Sequence, residues 1–186
     1  YNTSALTVRL VFQGCTGLTG AIPENLFRYN VSLNTVLGTF SSCTGLTGSI
    51  PENLFRYNPL INTFAQTFYD CRSLTGSIPV GLFQYNPLAI TFQQVFYNCV
   101  GLTSVPEDLF RYNTNVITLG SVFQRCSSIT SITANLFRYN TIASTFTGTF
   151  QDCVGLTSIP VDLFRYNTAS TTFGYCFYGC NNLTTI

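Results

Sequence analysis

Cysteines carry the most reactive side chains in this chain, and they recur at nearly constant spacing. Seven of them are separated by 28, 28, 28, 27, 27 and 27 residues. These seven are Cys15, Cys43, Cys71, Cys99, Cys126, Cys153 and Cys180. Such thiols can form disulfides, bind a metal ion or fill a core as small apolar side chains. The chain has no His and no Cys-x-x-Cys pair. That composition disfavours zinc, and equivalent positions projecting in parallel favour free, buried thiols.

One cysteine lies outside this series. Cys176 precedes Cys180 by four residues, so the two would share a face of a helix. That spacing suits a disulfide poorly. We therefore predict a free thiol at Cys176, facing either solvent or the core.

Tyrosine and arginine also recur once per repeat, as neighbours in the motif Leu-Phe-Arg-Tyr-Asn. The tyrosines are Tyr29, Tyr57, Tyr85, Tyr112, Tyr139 and Tyr166, and the arginines are Arg28, Arg56, Arg111, Arg138 and Arg165. A row of tyrosines could bind sugars or aromatic ligands, since each ring offers an apolar face and a polar tip. The alternative is a stacked row that seals one corner of the fold. The arginines could attract anions, but acidic residues four positions earlier, as in Glu24–Arg28, predict helical ion pairs instead.

A row of threonines supplies the candidate ligand-binding site. One threonine recurs in each strand-like segment, and the central ones are Thr47, Thr75, Thr103, Thr130 and Thr157. Side chains at equivalent positions of parallel strands line one face of the sheet. Repeat proteins commonly bind partners through such a face. The alternative is an ordinary solvated β-surface.

The elements that would position these residues follow from the repeat itself. A period of 20–50 residues predicts stacked coils, each packing on its neighbours. Strand-like runs such as Leu102–Val105 are followed by Pro and an acidic residue, which are helix-start signals. The asparagine after each tyrosine, such as Asn58, suits a left-handed helix cap, and Thr63 suits an N-cap. The prediction is an α/β solenoid, a right-handed superhelix with a parallel sheet on one face and short helical turns on the other.

The same columns divide the chain into repeats within a single domain, residues 1–186. Complete repeats begin at residues 12, 40, 68, 96, 123 and 150. Residues 1–11 are predicted to be part of an earlier repeat, and residues 177–186 to be a truncated one.

Composition limits the function classes. Apolar residues make up 46% of the chain and charged residues 8%, with a formal net charge of +1. This balance gives no electrostatic case for nucleic acid, and no apolar run reaches the length of a membrane span. The acidic residues are scattered or paired with arginine, and general acid–base catalysis normally needs His or coupled carboxylates. We therefore predict that the protein is not an enzyme, with no catalytic residues, no metal site and no cofactor.

The repeat resembles a known family. The pattern Phe-x-x-Cys-x-x-Leu-Thr-(Gly)-Ser-Ile-Pro-x-x-Leu-Phe, clearest from Phe68 to Phe83, resembles BspA-type leucine-rich repeats and extends over nearly the whole chain. The resemblance implies a right-handed solenoid in a secreted or surface-attached protein with a role in adhesion. The chain departs from the family's commoner repeat by its Leu-Phe-Arg-Tyr-Asn insert.

Two functional hypotheses follow. The first is an extracellular or cell-surface interaction and adhesion module that contacts a protein or glycan on another surface. The second is a structural subunit that stacks head to tail into a filament, forming a homopolymer through its terminal repeats. The second rests on Leu183–Ile186, which would leave an open strand edge.

Overall fold

The structure, a computed structural model, describes residues 2–185. The predicted strand edge at Leu183–Ile186 therefore lies partly outside the described residues. Regular secondary structure is sparse: strand β1 is Gly76–Ser77 and strand β2 is Leu102–Ser104. The two strands pair in parallel, Gly76 with Leu102 and Ser77 with Ser104, with a register shift between them.

The predicted α/β solenoid is wrong in this structure. Residues 2–185 contain no helix, and their regular sheet is limited to β1 and β2. The helical turns predicted on one face and the continuous parallel sheet predicted on the other are therefore both missing from the described residues. What joins the repeats instead is a set of isolated parallel bridges, tight turns and side-chain contacts.

Parallel pairing recurs at a threonine that precedes each repeat phenylalanine by five residues. Isolated parallel bridges link Thr7, Thr35, Thr63, Thr91, Thr118, Thr145 and Thr172, each to the next. The hydroxyl of Thr63 accepts a hydrogen bond from the N–H of Ala65 at 3.2 Å. That bond is a local cap of the kind predicted, but a turn follows it rather than a helix. Residues 27 or 28 positions apart thus lie side by side.

Turns occupy the segment around each repeat phenylalanine. The N–H groups of Thr39, Ser41 and Cys43 donate to carbonyls three residues earlier, at 3.0–3.1 Å. The intervening N–H groups, those of Gly38, Phe40 and Ser42, donate to the next repeat at 2.7–2.9 Å. An α-helix would need every N–H to turn back along its own chain. Because alternate N–H groups bond a neighbouring repeat, this segment cannot be helical.

Left-handed residues make this alternation possible. Two positions in every repeat, two residues before and two after the phenylalanine, have φ between 54° and 75°. In the central repeats they are Gln94, Asn98, Ser121 and Arg125. Glycine fills several of the equivalent positions, and Asp and Asn fill others, the residue types that tolerate this conformation best.

A second run of turns replaces the predicted helix in Leu-Phe-Arg-Tyr-Asn. Leu54, Arg56 and Asn58 each donate their N–H to a carbonyl three residues back, at 3.1–3.3 Å. The asparagine has a different role from the predicted left-handed cap, because its φ is not positive. The buried amide of Asn58 donates instead to the carbonyls of Phe27 and Asn30 in the preceding repeat, at 3.0 and 2.8 Å. Asn86, Asn113, Asn140 and Asn167 repeat this arrangement.

The core is built from columns of phenylalanine. The repeat phenylalanines stack face to face along the molecule with centroids 5.4–5.9 Å apart: Phe12, Phe40, Phe68, Phe96, Phe123, Phe150 and Phe177. A second column of phenylalanines, which includes Phe83, packs against a third, which includes Phe64 and Phe92. The ring centroid of Phe83 lies 4.7 Å from that of Phe64 and 4.6 Å from that of Phe92. These rings are fully buried in the central repeats. No single repeat could bury such a set, so each repeat depends on its neighbours.

Candidate functional site

The five threonines of the candidate site all lie at the surface. Thr47, Thr75, Thr103, Thr130 and Thr157 are exposed. Thr103 is in β2, and Thr75 directly precedes β1. The N–H groups of Thr47 and Thr75 donate to the preceding repeat at 2.9 Å, to Gly20 and Gly48 respectively. The threonines therefore form an exposed row whose backbone is fixed by the neighbouring repeat, although the continuous sheet predicted beneath them is missing. We call this set the threonine row.

The thiols of the cysteine series point into the molecule in a regular file. Each Sγ from Cys43 onward donates to the carbonyl of the repeat phenylalanine one repeat earlier, at 2.9–3.1 Å. All eight cysteines are free, and only Cys15 is exposed. The prediction of buried, free thiols is therefore confirmed for the rest of the series, and it is wrong in burial for Cys15.

Cys176, the cysteine outside that series, is also free and buried. It lies in the column of Thr149, whose hydroxyl donates to the carbonyls of Phe146 and Leu119 at 2.7 and 3.0 Å. Burial raises the pKa of the Cys176 thiol to about 12. Cys176 thus replaces a buried threonine as a small core residue, with no chemistry implied.

Burial also raises the pKa of the series thiols, most strongly for Cys71, Cys99, Cys126 and Cys153. Neighbouring thiols act in the same direction, because a thiolate beside another would repel it. Since the thiolate is the reactive and metal-binding form, these cysteines are chemically quiet. Among residues 2–185 no cluster of His, Cys, Asp or Glu is arranged to hold a metal ion.

The arginine and tyrosine columns interleave into one exposed stripe. The guanidinium of Arg28 lies 5.7 Å from the ring centre of Tyr29 and 5.5 Å from that of Tyr57. Arg56 lies in the same way between Tyr57 and Tyr85, at 5.9 and 5.3 Å. The arrangement continues through Arg111, Tyr112, Arg138, Tyr139, Arg165 and Tyr166. We call this set the Arg–Tyr stripe, and Gln84 interrupts it where the arginine column lacks a cation.

The carboxylates near the stripe are mostly bound elsewhere. The predicted pairs of glutamate with arginine four residues later do not form among residues 2–185. Glu24 accepts instead from the side chain of Asn53 at 2.8 Å, in the next repeat. Glu52 accepts from the N–H of Gly81 at 3.2 Å. Because the segment is not helical, residues four apart do not face each other, and the two glutamates accept instead from a side chain and a backbone N–H of the next repeat.

Two aspartates do pair with stripe arginines. Asp108 contacts Arg111 at 3.2 Å, and Asp162 contacts Arg165 at 3.5 Å. The hydrogen bond that Arg111 donates to Asp108 raises the pKa of Arg111, and its guanidinium stays charged at any physiological pH. Both pairs are well exposed and contribute little to stability.

A cluster that the sequence reasoning missed lies on the central repeats. The rings of Tyr69 and Tyr97 stack with centroids 4.4 Å apart, and Arg125 lies 5.8 Å from the centre of Tyr97. Burial, followed by the neighbouring Tyr97, raises the pKa of Tyr69. Asp70 accepts hydrogen bonds from Asn98 and Arg72 beside these rings. The two tyrosines are 28 residues apart, so the repeat period itself was the signal that could have paired them.

Few known proteins are similar to this chain. No protein-family model matches the chain, and no curated protein matches its sequence. Among solved structures, it is similar to a chain of the Toll–Spatzle complex of Drosophila in its glycosylated form, at 16% identity and a TM-score of 0.37. The match covers 86% of this chain and 24% of that one, so this chain spans about a quarter of that chain's length. In residues 2–185 no helix has the length and apolar character of a membrane span.

Proposed function

We propose that this chain is an extracellular or cell-surface interaction module with a role in adhesion, contacting a protein or glycan on another surface. The observation that carries the proposal is the exposed threonine row, one hydroxyl-bearing side chain per repeat on a backbone held by the neighbouring repeat. Regular spacing of identical groups suits a partner that itself repeats or presents an extended surface. The resemblance of the repeats to BspA-type leucine-rich repeats supports the same role.

Rigidity supports this proposal physically. The row stands on backbone that is hydrogen-bonded to the preceding repeat, as between Thr75 and Gly48 at 2.9 Å. Below it lie the fully buried side chains of Leu74 and Leu102. A surface fixed in this way loses little conformational entropy when it binds a partner.

The test is a glycan and protein array screened with the wild-type chain and with the double variant Thr75→Lys, Thr103→Lys. Both residues are exposed, so lysine adds bulk and charge to the row without disturbing the core. The matched control is Gln93→Lys, Thr147→Lys, which adds equal charge in a column where Arg9 already places a cation. We expect the row variant to lose the partners that the wild type and the control retain. Equal binding by all three chains would refute the threonine row as the contact surface.

A further inference from the structure

We propose that the Arg–Tyr stripe is a binding surface for a linear anionic polysaccharide, with its unpaired guanidinium groups taking sulfate or carboxylate groups. This inference rests on the proposed function and names the ligand class for a second surface of the same module. Three arginines of the stripe lack a carboxylate partner in the described part of the chain: Arg28, Arg56 and Arg138. Among residues 2–185 no carboxylate lies within 4.0 Å of any of them.

These three cations are free because the structure turns the nearby acids away. Glu24 and Glu52 accept hydrogen bonds from Asn53 and from the Gly81 N–H in the following repeats. Arg138 has no acid in the preceding turn, where Ala134 and Asn135 stand. The three guanidinium groups are therefore exposed to solvent and form no ion pair within 4.0 Å among the described residues.

The tyrosine rings hold these guanidinium groups ready for a ligand. Arg138 lies 5.8 Å from the ring centre of Tyr139 and 5.4 Å from that of Tyr166, so two rings restrict its side chain. A planar guanidinium stacked on an aromatic ring keeps its N–H edge available for paired hydrogen bonds to an oxyanion. A side chain restricted by two rings loses less conformational entropy when it binds an anion.

The stripe fits a polysaccharide better than a nucleic acid. Exposed tyrosines between the cations offer flat apolar faces and hydroxyl groups, which suit sugar rings. The carboxylates of Asp108 and Asp162 remain within the stripe, and the whole chain carries a formal net charge of only +1. A nucleic acid places one charge on every nucleotide and needs a continuous basic surface. A polysaccharide with widely separated anionic groups need not place a negative charge against the carboxylates of Asp108 and Asp162.

The experiment measures binding of a size-defined hyaluronan oligosaccharide, a linear polysaccharide with one carboxylate in each disaccharide, by isothermal titration calorimetry at low salt and at physiological salt. The loss variant is Arg28→Gln, Arg56→Gln, Arg138→Gln, a substitution that the repeat tolerates because Gln84 occupies the same column. The control is Arg9→Gln, Arg72→Gln, Arg125→Gln, which removes equal charge outside the stripe. The gain variant is Gln84→Arg, which closes the interruption between Tyr85 and Tyr112.

We expect the wild type to bind hyaluronan, and the loss variant to bind roughly tenfold more weakly with a smaller dependence on salt. The control should change affinity by less than about twofold, and Gln84→Arg should strengthen binding. No binding of hyaluronan by the wild type, or equal losses in both triple variants, would overturn the inference. Single-stranded DNA bound as tightly as hyaluronan would also overturn it. None of these outcomes touches the threonine row, whose array test stands or fails separately.

Discussion

The thiol of Cys99 donates a hydrogen bond to the backbone carbonyl of Phe68, 3.0 Å away and one repeat earlier. The same carbonyl accepts the N–H of Cys71 at 3.2 Å, so a thiol and a turn N–H share one acceptor. Equivalent contacts recur from Cys43 to Cys180. From Cys43 onward, each cysteine of the series is thus a buried donor that ties its own repeat to the one before. A cysteine in a disulfide or bound to a metal ion has no S–H group and could not make this bond.

Thiol labelling tests this burial. We expect one cysteine, the exposed Cys15, to react quickly with a thiol reagent in the native protein, because reagent access and thiolate content are both low at the buried positions. The remaining cysteines should react only after denaturant unfolds the chain. The variant Cys15→Ser is the control and should abolish the fast phase. Several thiols reacting at the rate of Cys15 would show that the cysteine file is open to solvent.

Stability should fall at alkaline pH. The pKa values of the buried thiols are raised above that of an unfolded cysteine, which is about 8.5. Above that pH the unfolded chain loses thiol protons that the folded chain keeps, so the free energy of unfolding decreases as pH rises. The stabilisation is fully present below about pH 8 and is lost progressively above it. Urea midpoints measured from pH 6 to pH 10 check this.

The control for the alkaline effect is a chain with fewer buried thiols. Replacing Cys99 and Cys126 by Ala should reduce the slope of the free energy of unfolding against pH. Each thiol removed should lower that slope by the contribution of about one bound proton. An unchanged slope would assign the alkaline sensitivity to other groups.

The buried asparagines that link successive repeats should not tolerate a side chain that accepts hydrogen bonds instead of donating them. The Asn113 amide donates to the carbonyls of Asn86 and Phe83 at 2.8 and 3.1 Å, while its own Oδ1 is buried and has no hydrogen-bond partner among the described residues. We expect Asn113→Ala to cost about 1–2 kcal/mol, because the orphaned oxygen is removed with the two donors. Asn113→Asp should cost about 3–5 kcal/mol at neutral pH, since it buries a charge facing two carbonyls.

Acidic pH should change the stability of the two Asn113 variants differently. Protonating the aspartyl group removes its charge and restores one donor, so Asn113→Asp should regain stability relative to the wild type as pH falls. Denaturant unfolding at neutral and acidic pH measures this. Equal stability of the Asp variant and the wild type at neutral pH would contradict the hydrogen-bond assignment.

The left-handed positions predict an unusual benefit from glycine. Ser121 has φ of 54°, while Gly38 and Gly148 occupy the equivalent position in other repeats. Ser121→Gly should therefore be neutral or stabilise the fold by up to about 1 kcal/mol, and Ser121→Val should destabilise it by about 1–2 kcal/mol. Melting temperatures of the two variants check the sign. A glycine variant less stable than the valine variant would rule out a left-handed residue here.

Sequence reasoning identified which residues share a column, but not the backbone that connects them. Phe68 and Phe96 could be matched from the period alone, because a core shared by successive repeats requires an apolar residue at the same position of each repeat. The helices were wrong because their signals are ambiguous. Proline and an acidic residue also begin β-turns, so Pro51 and Glu52 fit the observed turn equally well. Recurrent Gly, Asp and Asn near each phenylalanine, as at Asp70 and Asn98, were the available sign of left-handed residues.

The candidate site was predictable only in part. The exposure of Thr75 and Thr103 follows from their alternation with buried leucines such as Leu74 and Leu102. The unpaired state of Arg28 and Arg56 could not be foreseen, because the sequence places a glutamate four residues before each and suggests an ion pair. Only the three-dimensional structure shows that Asn53, from the next repeat, donates a hydrogen bond to the carboxylate of Glu24.

Equivalent residues of successive repeats lie directly against one another. Phe96 is fully buried between Phe68 and Phe123, with centroids 5.8 and 5.9 Å away. A double-mutant cycle in urea unfolding, using Phe→Leu at Phe68 and Phe96, tests this contact most directly. We predict a coupling of about 0.5–1.5 kcal/mol for that pair and none for Phe68 with Phe150, which is three repeats away and shares no ring neighbour with it. Coupling absent from the adjacent pair, or equal in both pairs, would contradict the account.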